Sequence, residues 1–411
     1  MLYANQVVVA RQLRPIGDPY VTLAASSGDS VEGTQSAAHR LENIKDLIRA
    51  FPELQPAGSL LPGLALTSET VNQITSNHDP AVSGLLAVGQ ASYLNSHRNS
   101  KAVPIFAVAG GLGGESVRLV VLRQEHLGWK GERNVYLDNF SSRSREESFW
   151  EGKGSPVQQL VFAELNGQSS DWLAVRYQGA VSILRPRLRT DNSASISQST
   201  GGLKTRLDPN PIVTLDIERL GGIAFADVAF NPWNHQQIAS IDQESHWIVW
   251  NIIGIGPKRG LWTIEKESGE YVTNIREGEE QSHAQGDGWG IVLWAGSASR
   301  LVAASRRDLA IFDIKKVVTR LDVPNLLSRN PTDWILDIKR KPSDNTCIFV
   351  ATSSTLYYVN VHMSNDLKQP GAQCLLSWNH FIDPEDISLR LYVPHVPDDS
   401  HHRFASAGTL L

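Results

Sequence analysis

Cysteine and methionine are nearly absent, with two of each in 411 residues. Cys347 and Cys374 have no further Cys or His at ligand spacing. That excludes a zinc site built on thiolates and a disulfide framework, and it suits a reducing compartment. No apolar stretch has the length of a membrane span. The N-terminal run Val7–Ala10 is too short for a signal-peptide core as well, so the sequence predicts a soluble, intracellular chain. Neither sign of charge dominates: 38 Lys and Arg face 43 Asp and Glu, a net charge of −5 with a pI near 6.2. A global electrostatic attraction to nucleic acid is therefore excluded, and any such contact must use local basic patches or a partner subunit. Catalytic signatures are missing too: there is no GxSxG, HExxH, CxxC or Walker loop. Gly110–Gly114 lacks the Lys-Ser/Thr and the helix of a phosphate cradle, so it reads as a turn between strands.

What the sequence does have is tryptophan, eleven of them, and strand periodicity. Ala224–Ile252 organises the rest: AFADVAFNPWNHQQIASIDQESHWIVWNI reads as three short strands with two turns. His246, Ile248 and Trp250 alternate with Trp247, Val249 and Asn251. A strand apolar on both alternating faces is buried between two layers.

The pattern recurs. FADVAFNP, GIVLWAG and WILDIKRKP each end near Pro or Gly. Each is followed by a small-residue strand, QIASID, LVAASR or FVATSS, and by an alternating one, WIVWNI, LAIFDI or LYYVNV. The closing pairs Trp250-Asn251, Phe312-Asp313 and Val359-Asn360 are degenerate Trp-Asp pairs. Earlier units are expected at Leu85–Ala91, Pro104–Ala109 and Val117–Leu122, and at Gln158–Ala163, Trp172–Tyr177 and Ala180–Pro186. Leu375–Trp378 is expected as an outer strand, and Ile387–Val393 as the first strand of a unit that the chain barely begins. The fold class expected is mainly β: a WD40-like β-propeller over residues 76–411, partial, with its ring left open. Residues 1–75 read as an N-terminal extension whose helix, 37–51, carries the stripe Leu41, Ile44, Leu47, Ile48 and Phe51 and ends at Pro52. Val135–Ser155 reads as a charged connection, Thr190–Thr205 as a disordered insertion and Lys266–Gly288 as an acidic loop.

Few residues invite chemistry. His380 lies near Asp383, Glu385 and Asp386, and paired carboxylates are what a glycosidase needs. Capping and turning of the chain before Ile387 accounts for the same residues more simply. His401-His402 has no further ligands. No metal or cofactor site and no enzymatic activity are expected. The basic clusters Arg185, Arg187 and Arg189; Arg306 and Arg307; Lys315 and Lys316; and Lys339, Arg340 and Lys341 have the charge to neutralise phosphates. Aromatic interleaving of the kind that stacks bases is absent around them. The first and last of these groups are the candidate nucleic-acid contacts.

As whole phrases, these motifs resemble a known family. DPNPIVTLDIERLGGIAFADVAFNPWNHQQIASIDQESHWIVWNI, DWLAVRYQGAVSILRP, DGWGIVLWAG, DWILDIKRKPSDNTCIFVATSSTLYYV and LSWNHFIDPEDISLRLYV, in this order, are similar to the fungal RNA polymerase I-specific initiation factor that forms the largest, WD-repeat-like subunit of the core factor. LENIKDLIRAFPELQPAGSLLP fits its N-terminal region. The resemblance implies a non-catalytic propeller subunit that joins a TFIIB-like and a third subunit on the ribosomal DNA core promoter. It further implies recruitment of RNA polymerase I, contact with the TATA-binding protein, and a place in the nucleus and nucleolus, with no membrane. It implies that the family continues into further blades, a helical domain and a basic tail, so this chain reads as shortened. The alternative is a propeller scaffold of another intracellular complex.

Overall fold

The computed structural model describes most of residues 78–393, leaving out 94–101, 112, 128–134, 141–145, 153, 166–167, 190–194, 197–203, 221, 256–260, 273–286, 316–317, 322–325, 327–332, 343, 362–370 and 381–385. It also describes 45–46, 48–50, 52 and 55. The chain divides into two compact units, Met1–Ile74 and Thr75–Leu411. In the first, residues 45–46 and 48–50 are helical, within the expected helix 37–51, whose other residues lie outside those described.

The second unit is built of antiparallel sheets taken one after another along the chain. Blade 1 comprises β1 (Leu86–Tyr93), β2 (Val103–Gly110), β3 (Ser116–Leu127), β4 (Val135–Phe140) and β5 (Glu147–Glu151), and both β4 and β5 pair with β3. Blade 2 starts with β6 (Val157–Leu165), β7 (Gln168–Tyr177) and β8 (Ala180–Leu184). The chain then leaves through β9 (Arg187–Leu188), β10 (Ser195–Ile196), β11 (Lys204–Thr205) and β12 (Leu207–Asp208), and returns as the outer strand β13 (Pro211–Asp216). Blade 3 is β14 (Phe225–Asn231), β15 (Asn234–Asp242), β16 (His246–Ile255) and β17 (Leu261–Tyr271). Blade 4 is β18 (Gly290–Trp294), β19 (Arg300–Ser305), β20 (Leu309–Asp313) and β21 (Thr319–Leu321). Blade 5 is β22 (Ile335–Lys341), β23 (Asp344–Thr352), β24 (Thr355–Asn360) and β25 (Gln373–Asn379).

Each pair of consecutive blades shares its own core. Ile105, Leu119 and Val121 of blade 1 meet Phe162, Val175 and Tyr177 of blade 2. Trp172 and Ile183 meet Phe225, Ile248 and Trp250. Trp247 and Val249 meet Trp294 and Phe312, and Val302 and Ile311 meet Ile348 and Val359. Strand β16 therefore sends alternate residues into two different cores, which is why it is apolar on both faces. Each fully buried aliphatic side chain contributes about 1.5–3 kcal/mol. Among the described residues no such core joins blade 5 to blade 1. Instead Leu86 and Val88 on β1, and Leu376 and Trp378 on β25, are exposed.

Polar side chains stitch the innermost strands. Blades 2, 3 and 5 each carry a register shift at the same place, between Val157 and Gln159, Phe225 and Asp227, and Ile335 and Asp337. The polar side chain at each shift accepts an amide from the next segment of the ring. Gln159 Oε1 accepts from Val228 N at 3.2 Å, Asp227 Oδ2 from Val292 N at 2.9 Å, and Asp337 Oδ2 from Leu391 N at 2.8 Å. By this repeat, Leu391 occupies the station of a following innermost strand.

Some expectations require correction. Ile387–Val393 forms no strand: it is tied to β22 through side chains, Leu391 N to Asp337 and Arg390 Nη1 to Leu336 O, and among the described residues no backbone ladder pairs with it. Val135–Ser155 is not merely a connection, since it holds β4 and β5. Within Thr190–Thr205, Ser195–Ile196 pairs with Lys204–Thr205, and the rest lies outside the described residues. Lys266–Gly288 begins as strand, because β17 runs on to Tyr271 against His246; residues 273–286 are outside those described.

Candidate nucleic-acid interface

Arg185, Arg187 and Arg189 lie where the chain leaves blade 2. Burial alternates through this stretch: Pro186 and Leu188 face inward, and the three arginines are partly exposed. An extended strand places residues two apart on one face. The inward face is fixed by packing, because Leu188 and its cross-strand partner Leu207 are both fully buried in the core between blades 1 and 2. Backbone bonds fix the rest. Ser92 N donates to Pro186 O at 3.1 Å, Arg189 N to Arg206 O at 2.9 Å, and Arg185 N to Asn210 O at 3.0 Å. Asn210 takes a left-handed conformation (φ 46°) and returns its own side-chain amide to Arg185 O. β9 thus runs parallel to the end of β1 and antiparallel to β12, a ribbon stapled across the inner edge of blade 1.

The guanidiniums differ in their partners. Arg185 donates to Asp171 Oδ2 at 2.8 Å and lies 5.5 Å from the centre of the Trp172 ring. Among the described residues no carboxylate pairs with Arg187 or Arg189. Arg206, which sequence reasoning missed, donates Nε and Nη2 to Arg189 O and sits 3.7 Å from the buried Glu146. Arg123 holds the same carboxylate through two bonds. Nothing in the spacing marked Arg206, because the cross-strand pairing that brings it to Arg189 spans an insertion.

The second trio ends β22. Lys339 pairs with Asp337 at 3.1 Å, Arg340 with Glu164 at 3.1 Å, and Lys341 donates to Tyr358 OH at 3.3 Å. Burial holds the Arg340 pKa below its ordinary value, against the opposing pull of Glu164. The two trios converge on one hairpin: Arg340 reaches Glu164 at the end of β6, and Arg185 reaches Asp171 near the start of β7. Arg306 and Lys315, from the other two clusters, are engaged within the protein. Arg306 is buried, bonded to Asp287 and Ile335 O, with Trp289 and Trp334 rings 4.5 and 5.4 Å away. Lys315 pairs with Asp313; Lys316 is outside the described residues.

Nothing assembles around His380 for catalysis among the described residues. Its Nε2 lies 3.0 Å from Thr352 O, and Asp386 accepts bonds from Ser388. Asp383, Glu385 and His401-His402 lie outside the described residues. No group of three His, Cys, Asp or Glu able to hold a metal ion occurs among the described residues. No described helix is long and apolar enough to cross a membrane.

Comparison with known proteins then places the chain. Residues 79–406 match the family described as Rrn6, beta-propeller. The RNA polymerase I-specific transcription initiation factor RRN6 of Saccharomyces cerevisiae is 24% identical over 337 residues, which are 79% of this chain and 32% of that protein. The chain therefore spans about a third of the length of that curated relative. A chain in the crystal structure of the S. cerevisiae core factor superposes with a TM-score of 0.52 at 16% identity, over 77% of this chain and 44% of the other. The crystal structure of Sqt1 from Chaetomium thermophilum aligns over 74% of this chain and 63% of its own, at 13% identity and a TM-score of 0.42.

Proposed function

Because the chain belongs to the Rrn6 β-propeller family, we propose that it is a subunit of the RNA polymerase I core factor, acting in initiation of ribosomal RNA synthesis. The match over residues 79–406 carries this reading, supported by the similarity to the yeast initiation factor RRN6. On this reading the propeller, residues 76–411, is an assembly platform and not an enzyme, and residues 1–75 are an extension ahead of it. Its partners are a TFIIB-like subunit and a third subunit of the core factor, the TATA-binding protein and RNA polymerase I. The ribosomal DNA promoter is engaged through the complex, in the nucleus and at the nucleolus. Arg185, Arg187 and Arg189, with Lys339, Arg340 and Lys341, are the residues proposed to face nucleic acid.

Affinity purification of the tagged chain from fungal nuclei tests the reading. The TFIIB-like subunit and RNA polymerase I subunits should co-purify at salt that strips nucleic acid. Recovery of a different stable complex, without either of them, would overturn it in favour of a scaffold serving that complex.

A further inference from the structure

We infer that the outward face of the β9–β12 ribbon, formed by Arg185, Arg187, Arg189 and Arg206, is a seat for the phosphate backbone of duplex DNA. The choice of DNA among polyanions rests on the reading of this chain as an initiation-factor subunit. The surface itself rests on geometry. One face of the ribbon is locked into the core by Leu188 and Leu207, so the other face is held rigidly outward. Alternate residues of an extended strand lie about 6.6 Å apart. Neighbouring phosphates of one DNA strand, one rise of about 3.4 Å and one step of helical turn apart, are separated by about 6.5 Å. Arg185, Arg187 and Arg189 therefore lie on one face at close to the spacing of successive phosphates. The guanidinium fork matches phosphate oxygens through paired N–H bonds.

Charge supports the same face. The chain as a whole carries −5, yet this face sets four arginines against Asp208, Asp171 and the buried Glu146, which Arg206 shares with Arg123. Asp208 lies across from Arg187 in the register, and its Oδ1 accepts from Asn210 N within its own turn. Asp171 is taken by Arg185. Arg187 and Arg189 are thus the two cations without a carboxylate partner among the described residues, and they form the centre of the seat. The trio on β22 is different, since Lys339 and Arg340 are already paired with Asp337 and Glu164. Among the described residues no exposed aromatic ring interleaves the ribbon arginines: Trp172 lies buried under Arg185. That disfavours a single strand, which binds by stacking on aromatics. Contacts to phosphate alone carry no sequence information, so this seat sets register and not sequence choice.

The test is fluorescence anisotropy of the full chain with a labelled duplex of random sequence, between 50 and 200 mM salt. Four phosphate contacts give a slope of log K against log salt of about −3.6. The R187Q/R189Q variant should lower the magnitude of that slope by about 2 and weaken binding about tenfold at the lowest salt. K315Q, on the exposed Lys315 of blade 4, should leave both unchanged. If the double variant loses its cooperative melting transition, R187Q alone is measured, with an expected drop of about 1. An unchanged slope, an equal loss in K315Q, or tighter binding of a single strand would overturn the inference. So would poly-glutamate displacing the protein as readily as duplex at matched charge, since the ligand would then be an acidic polypeptide. Failure of the co-purification described above would remove the initiation-factor reading, while the salt slope would still decide whether the ribbon binds phosphate.

Discussion

At the scale of single residues, Arg176 shows how a charge is kept inside this fold. It is fully buried, and its pKa falls to about 10 through desolvation. Its donors reach Gln159 Oε1, Gln158 Oε1, Phe225 O and Ala81 O. Gln159 passes the network to Asp227, whose own pKa is pushed up by burial. Arg176→Met removes the cation and leaves those carbonyls without donors. A loss of about 3–5 kcal/mol is expected, read as a lowered urea midpoint. His78 gives a second test. Its Nε2 lies 2.9 Å from Arg390 Nη2, so the imidazole must be neutral to accept that bond. Burial comes first in lowering its pKa, followed by the charges of Arg390 and Arg306, with Asp79 and Asp386 opposing. A lowered folded pKa means that the unfolded chain takes up the proton first. Stability is therefore intact above the ordinary value of 6.5 and is lost as pH falls below it. The urea midpoint of the native chain should drop between pH 7.5 and 5.5, and that drop should shrink in His78→Gln, which keeps an acceptor but does not titrate. His235, also lowered by burial, contributes in the same direction.

Among the elements, β1 is held closely against blade 2. Gly89 faces the Phe162 ring so closely that a Cβ there would overlap it. The clash falls on the interface between blades 1 and 2, so Gly89→Ala should cost about 1–3 kcal/mol, visible as a lower melting temperature. That glycine is an example of what the sequence did not disclose: LLAVGQA reads as a strand, but not as one whose backbone must press on an aromatic ring. Strands with two buried faces, such as Trp247–Trp250, were legible, because every residue is apolar and the turns around them are polar. β5 was not, because Glu147 and Glu151 mask the alternation of a strand with only part of its side chains buried. At the site, three alternating arginines were visible as a cluster. Their common face was not, since Pro186 and Leu188 reveal it only through the core they enter. The Lys339–Lys341 trio looked equally promising in sequence, but partners more than a blade away in the chain, such as Glu164, are not marked by spacing.

For the whole molecule, the faces of the first and last blades matter most. Leu86 and Val88 are 56% and 54% exposed, and Leu376 and Trp378 are 60% and 42% exposed. Apolar sheet faces left uncovered favour association. The chain of residues 1–411 should elute as concentration-dependent oligomers in size-exclusion chromatography with light scattering, and L376E/W378E should shift it toward monomer. A monodisperse native monomer at high concentration would contradict this. The ribbon between β8 and β13 has a consequence of another kind, during synthesis. The core of blades 1 and 2 includes Leu188 and Leu207, so it lacks two of its side chains until that part of the chain has been made. At roughly 5–20 residues per second, the interval between completion of β3 and arrival of Leu207 at the peptidyl-transferase centre is about 4–16 s. Through that interval blade 1 hangs from the ribosome with an uncovered apolar edge, a binding window for nascent-chain chaperones that closes when the ribbon snaps down.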